Sequence, residues 1–182
     1  GGGVAGLTAA CAFGHAGFSV ICVDPAQPLT QEQSEGADLR TTAFLQPSQR
    51  LLDRIGLWDQ LAPHAAALQI MRIVDAGGQS NTSRDQADFD ASDISDAPFG
   101  WNLPNWLLRR EMLVRISELP NVTFLSGTAT AQLTTRQAEA RVRLSDGTLI
   151  ATRLLIAADG RNSNIREQCE IGVKTWRYGQ KA

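Results

Sequence analysis

The sequence predicts an α/β protein: a mostly parallel sheet flanked by helices, continued by a β-meander and the start of a second, mixed sheet. Three observations carry this. Gly1-Gly2-Gly3-Val4-Ala5-Gly6 is a G-x-G-x-x-G opening a run of small residues. Two short apolar runs, Phe18–Val23 and Leu154–Ala158, each end in an aspartate, as buried parallel strands can. Between residues 122 and 144 three strand-like segments follow closely, and Asp146-Gly147 then marks a hairpin turn.

Each element has a local reason. Residues 3–16 are small and apolar (Ala5, Leu7, Ala9, Ala10, Ala12) and suit a helix packed tightly on a sheet, ended by Gly14 and Gly17. The Phe18–Val23 strand stops at Asp24-Pro25, and residues 26–38 are a polar loop. Pro47–Leu57 reads as a helix with Leu51, Leu52 and Ile55 on its apolar face, closed by Gly56. Ile70–Val74 is a strand that turns at Gly77-Gly78. Residues 84–96 set five aspartates against Arg84, a local balance of −4; they read as a solvated loop, with an acidic docking surface as the alternative. Leu103–Leu119 is a helix candidate behind Pro104, followed by strands at Val122–Leu125, Thr128–Thr134 and Ala140–Leu144. After Asp159-Gly160, Asn162 or Ser163 can cap a short helix.

Composition narrows the function classes. A chain of 182 residues with 43% hydrophobic content can bury one sizeable core, or one domain and part of another. With a net charge of −2 and scattered arginines it carries no electrostatic footprint for nucleic acid. Cys11, Cys22 and Cys169 form no C-x-x-C pair and read as reduced core thiols of a cytosolic protein. No apolar run reaches the length of about 18 residues that a membrane span needs. His15 and His64 lack a carboxylate or cysteine at ligand spacing, so neither a metal site nor a nucleophile–base set is expected.

The glycine motif points to a ligand. Gly1 permits a tight turn, Gly3 lets backbone N–H groups approach a pyrophosphate, and Gly6 lets helix and strand pack closely. The head of the helix adds a field that favours phosphate. Asp24, 18 residues after Gly6, ends the next strand, where a carboxylate can accept hydrogen bonds from both ribose hydroxyls of an adenosine. A dinucleotide loop is the reading and a plain structural loop the alternative; the spacing does not separate NAD from FAD. In such a fold the first glycine ends a buried strand, so the sequence reads as part of a longer protein.

Further segments separate the cofactors. Leu155-Ile156-Ala157-Ala158-Asp159-Gly160-Arg161-Asn162-Ser163-Asn164-Ile165-Arg166 resembles the apolar–Asp-Gly–x-x-Ser–x-x-Arg motif of FAD-dependent aromatic hydroxylases of the p-hydroxybenzoate hydroxylase type. Asp38-Leu39-Arg40 with Ser48–Leu52 and Leu57-Trp58, Phe99–Asn105, and Trp176–Gln180 are similar to the ubiquinone-biosynthesis, polyprenylphenol hydroxylase branch of that family. The resemblance runs the length of the chain and implies a Rossmann-like FAD-binding sheet. It divides the chain into a first part of the FAD domain (1–70), a substrate-domain insertion (71–104), a second FAD part with the meander (105–170), and the start of a truncated substrate domain (171–182).

Site roles follow from the same resemblance. Gly1, Gly3 and Gly6 would hold the FAD pyrophosphate and Asp24 the adenosine ribose. Arg40 would lie near the flavin or its pyrophosphate. Asp159 and Gly160 would lie near the pyrophosphate and the route of NAD(P)H. Asn105 stands at a helix head where relatives carry Arg or Gln against the cofactor; it can donate a hydrogen bond but cannot neutralise phosphate. Alternatives stay open: Arg40 as a surface arginine, Asp159-Gly160 as a strand-end turn with Ser163 as cap, and Arg166 as a helix-end charge. Trp101, Trp106 and Trp176 suit core or interface packing better than flavin stacking. The implied activity is hydroxylation of a prenylated phenol with NAD(P)H and O2, one oxygen atom entering the ring and the other leaving as water. Such a greasy substrate is compatible with peripheral contact on the inner face of a membrane or with a biosynthetic complex. No catalytic acid or base is evident, and the family's later Gly-Asp motif has no match. Rival functions are another FAD enzyme of the same fold, a prenyl reductase or halogenase, and a non-catalytic interaction module.

Overall fold

The computed structural model describes residues 1–75 and 83–179. In chain order the elements are α1 (Val4–His15), β1 (Val20–Asp24), β2 (Thr41–Leu45), α2 (Gln46–Arg54), α3 (Trp58–Leu61), β3 (Ala66–Leu68), β4 (Ile70–Asp75), β5 (Asp85–Asp90), β6 (Gly100–Pro104), α4 (Asn105–Ser117), β7 (Val122–Ser126), β8 (Thr130–Thr135), β9 (Ala140–Leu144), β10 (Leu149–Thr152) and α5 (Asn164–Gln168). They divide into two compact units, Gly1–Pro28 with the segment from Pro120 onward, and Leu29–Leu119.

In the first unit α1 presents Leu7, Ala10, Cys11 and Gly14 as one buried stripe at helical spacing. Leu7 is fully buried, and burying a leucine side chain contributes roughly 1.5–3 kcal/mol. Gly14 lies inside this helix rather than ending it. Gly17, at φ +87°, is the true terminator: its N–H bonds to Gly14 and the Phe18 N–H reaches back to Phe13. The chain then enters β1, which pairs in parallel with β7, Val20 opposite Val122 through Asp24 opposite Ser126. Asn121 locks this junction, its amide donating to the carbonyls of Gly14 (2.8 Å) and Phe18 (2.7 Å). The antiparallel meander β8–β9–β10 follows, with Val142 and Leu144 turned inward. Residues 154–158 belong to no ladder among the described residues, although their composition is that of a strand; Leu154 and Ile156 are 60% and 45% exposed.

The second unit is built on an antiparallel sheet ordered β2–β6–β3. Its core gathers Leu52, Leu57, Leu61, Leu103, Leu107, Leu108 and Met112. On α4 the buried positions Asn105, Leu108, Met112 and Ile116 recur at spacings of three and four, which sets the face that carries Asn105 inward. Neither β2 nor β6 was expected from sequence. The acidic stretch is also corrected: residues 85–90 form β5 against β4, and Ala91–Asp93 a single 3-10 turn, in place of a solvated loop. Arg72 and Asp88 pair across the ribbon at 2.8 Å, which neutralises part of the acidic run. The expected Gly77-Gly78 turn and Gln180 lie outside the described residues.

Candidate functional site

In the first unit an open cleft of about 1160 Å³ is lined by Gly1, Gly3, Gly6, Asp24, Asp159 and Gly160, among others. Six of the candidate residues, drawn from both ends of the chain, therefore share one wall system. The glycines differ in what surrounds them. A Cβ on Gly1 would lie 2.2 Å from the Ala158 carbonyl oxygen, and one on Gly6 would lie 2.0 Å from the Gly1 oxygen. Both are glycine because backbone presses on them. A Cβ on Gly3 would meet nothing within 4 Å. No protein atom requires glycine at position 3, so the room there is available to a ligand approaching the head of α1.

Asp24 closes the loop from the other side. One carboxylate oxygen accepts the Gly2 N–H and the other accepts the Ala26 N–H at 2.9 Å. An ionised carboxylate has about four lone-pair sites, so each oxygen keeps room for a ribose hydroxyl while the backbone contacts fix its direction. Asp159 is likewise oriented: it accepts from Ser163 Oγ (2.6 Å) and from the Ile165 N–H (3.1 Å). Ser163, of the two expected caps, is the one that caps α5, accepting the Arg166 N–H. Partial burial pushes the Asp159 carboxyl up, but the hydrogen bonds from Ser163 and Ile165 outweigh it and leave it below its ordinary value. Gly160, at φ +87°, turns the chain between them.

The second unit holds the other two candidates in one polar cluster. Arg40 places Nε and Nη2 on the two oxygens of Asp38, each at 2.8 Å. Asn105 Nδ2 reaches Asp38 at 3.0 Å, and Arg109 Nη2 at 3.4 Å. Thr42 Oγ1 donates to the Asn105 carbonyl oxygen at 2.6 Å, which fixes the amide's direction. The Arg40 guanidinium, first among these, holds the Asp38 carboxyl well below the usual carboxylate range. Asn105 and Arg109 are one helical turn apart on α4. Asp38 and Arg109 were not singled out as site residues from sequence. Their signal is spatial, since the contacts to Asp38 come from residues 67 and 71 positions further along the chain.

The aromatic candidates sort as follows. Trp101 meets Trp58 edge-on at 5.2 Å, and Trp106 lies under the Arg110 guanidinium at 5.4 Å. Trp176 is 69% exposed, which removes the core half of its expected packing. Burial pushes the Cys22 thiol up, in keeping with a reduced core thiol; Cys11 is buried too, while Cys169 is exposed rather than core. No group of metal-ligating side chains occurs among the described residues, and no described helix is long and apolar enough to cross a membrane.

A glycine loop at a helix head, an aspartate ending the following strand, and open room at Gly3 define a dinucleotide-binding domain. The chain belongs to the FAD binding domain family, which matches residues 1–179, and its cofactor is FAD. It is 37% identical over 182 residues to the ubiquinone hydroxylase UbiL of Rhodospirillum rubrum, covering 100% of this chain and 41% of that protein. It is 28% identical to the 3-demethoxyubiquinol 3-hydroxylase of Escherichia coli, covering 99% of this chain and 45% of that protein. The chain thus spans less than half the length of these curated relatives. Among solved structures, a variant of PqsL from P. aeruginosa superposes with a TM-score of 0.80 at 24% identity, over 98% of this chain and 46% of that one; this likeness concerns the fold.

The residues present fit FAD. Room at Gly3 and backbone-oriented Asp24 suit an adenine dinucleotide with a charged pyrophosphate. In the second unit, Arg109 Nε is buried without a hydrogen-bond partner among the described residues.

Proposed function

We propose that the protein carrying this chain is an FAD-dependent monooxygenase that hydroxylates a prenylated phenol of ubiquinone biosynthesis, with NAD(P)H and O2 as co-substrates. The observation that carries the reading is the convergence of Gly1, Gly3, Gly6, Asp24, Asp159 and Gly160 on one cleft, in a chain whose relatives bear ubiquinone-hydroxylase names.

FAD, when bound, supplies the redox chemistry: two electrons come from NAD(P)H, one atom of O2 enters the ring, and the other leaves as water. This chain's residues bind and orient. Gly3 lets the backbone at the head of α1 approach the pyrophosphate, where the helix field favours negative charge. Asp24 receives the adenosine ribose on the lone pairs left free by Gly2 and Ala26. Asp159 and Gly160 border the same phosphates and the approach of NAD(P)H. The substrate's apolar chain sets the place of action as peripheral contact with the inner face of the membrane, reached from the cytoplasm.

The test is incorporation of labelled O2. With the holoenzyme, NAD(P)H and a prenylated phenol, mass spectrometry is expected to find one labelled oxygen per product. Oxidation of NAD(P)H with reduction of a prenyl double bond and no label would replace the hydroxylase by a reductase.

A further inference from the structure

We propose that Ser163 is a positioning residue of the cofactor site: from beneath the cleft its hydroxyl aims the Asp159 carboxylate and holds the Gly160 turn in shape for the cofactor. This rests on the flavoprotein reading above and adds a residue to it. Every group involved belongs to the first unit.

The three residues differ in depth. Asp159 and Gly160 line the cleft and are exposed, whereas Ser163 is 7% exposed and lies outside that lining. A Cβ on Gly160 would meet nothing within 4 Å, so the backbone there is open as it is at Gly3. The two loops adjoin, since a Cβ on Gly1 would lie 2.2 Å from the Ala158 carbonyl oxygen. A ligand that reaches the head of α1 therefore meets the Asp159-Gly160 turn beside it.

A serine hydroxyl has a single proton to give. Capping α5 uses only a lone pair, on the Arg166 N–H at 3.0 Å. The proton goes to Asp159 Oδ1 at 2.6 Å, four residues back across the Gly160 turn. Such a bond to a carboxylate is charge-assisted and roughly twice as strong as a neutral one. The other oxygen, Oδ2, accepts the Ile165 N–H at 3.1 Å. The carboxylate is thus tied at both oxygens to the chain behind it, and each oxygen keeps a lone pair for a donor in the cleft. The head of α5 itself is closed to a ligand, because Asp159 and Ser163 take the N–H groups of Ile165 and Arg166. Capping alone does not call for the bond to Asp159. What that bond adds is order. A turn through glycine at φ +87° is free to sample other conformations unless it is tied, and a turn fixed before the ligand arrives lowers the ordering cost of binding.

A double-mutant cycle on the FAD affinity of the stripped and reconstituted holoenzyme tests this, with apoprotein melting and circular dichroism as measures of fold. Ser163→Ala is expected to weaken FAD binding about tenfold. Ser163→Thr, which keeps the hydroxyl and the cap, is expected to bind within about twofold of wild type. In an Asp159→Ala background the same Ser163→Ala change should cost no further affinity, because Ser163 acts through Asp159, yet it should still lower the melting midpoint through the lost cap. A purely capping role would move the midpoint alone. An unchanged dissociation constant for a folded Ser163→Ala, losses that multiply in the double variant, or a folded Ser163→Thr as weak as Ser163→Ala would overturn the proposal. If Ser163→Ala does not fold, Ser163→Gly replaces it: glycine is tolerated at a helix N-cap but offers Asp159 no donor, so affinity should fall, and unchanged affinity would overturn the proposal. Wild type that binds no FAD would overturn the flavoprotein reading itself, a result distinct from any of these.

Discussion

Gly6 packs on Gly1: a Cβ at position 6 would stand 2.0 Å from the Gly1 carbonyl oxygen, while one at position 3 would touch nothing within 4 Å. Two glycines of one motif therefore answer to different demands, one internal and one external. Gly6→Ala should lower the stability of the fold by about 3 kcal/mol, as overpacking against fixed backbone does. Gly3→Val should leave the apoprotein's melting midpoint unchanged, because Gly3 has extended backbone at the head of α1 (φ −79°, ψ 170°) that valine adopts freely. Thermal melts of both variants without cofactor check the contrast.

Ser163 caps a helix of only one turn, and Asp159 holds Ser163 in place. Ser163→Ala should cost about 1 kcal/mol by denaturant titration. The Asp159 carboxyl sits below its ordinary value in the folded protein. Its contribution is then complete above the unfolded value, near pH 4, and is lost as pH falls through the lower folded value. Wild type should show a steeper loss of stability below pH 4 than Asp159→Asn, with parallel curves between pH 5 and 8.

The Arg72–Asp88 pair bridges the β4–β5 ribbon at 58% and 41% side-chain exposure. Solvent screens a pair so placed. Asp88→Asn should leave the melting midpoint unchanged in low and high salt alike, as read by calorimetry.

Cys11 and Cys22 are buried and Cys169 is exposed; burial also keeps the Cys22 thiol protonated. A maleimide should label Cys169 in the native protein and the other two only after denaturation. Peptide mapping by mass spectrometry gives the answer directly.

What could be read from the residues themselves was what depends on near neighbours. The stripe of α1, the Gly17 stop and the Asp146-Gly147 hairpin are local patterns, and they were legible. β2 and β6 were not: each is five residues long, and β6, Gly-Trp-Asn-Leu-Pro, lacks any period. They are strands because they pair with each other, Thr42 opposite Leu103 and Phe44 opposite Trp101. β5 carries three aspartates and looks like a loop until β4 supplies its ladder and Arg72 its counter-charge. Residues 154–158 show the converse, strand composition without a ladder, because composition supplies the apolar face but not the partner. The glycine loop was legible as the head of α1 for the same reason as the helix behind it. Asp38 was visible only as part of a motif, since its function as a hub depends on Asn105 and Arg109 arriving from α4.

The central claim is that the glycine loop at the head of α1 holds FAD, with Gly3 kept free of a side chain for it. Titration of the protein with FAD, followed by flavin fluorescence in wild type and Gly3→Val, tests this most directly. The account predicts saturable binding by wild type and at least about tenfold weaker binding by the variant, with both apoproteins melting alike. Equal affinity in the two, or no binding by wild type, would contradict it.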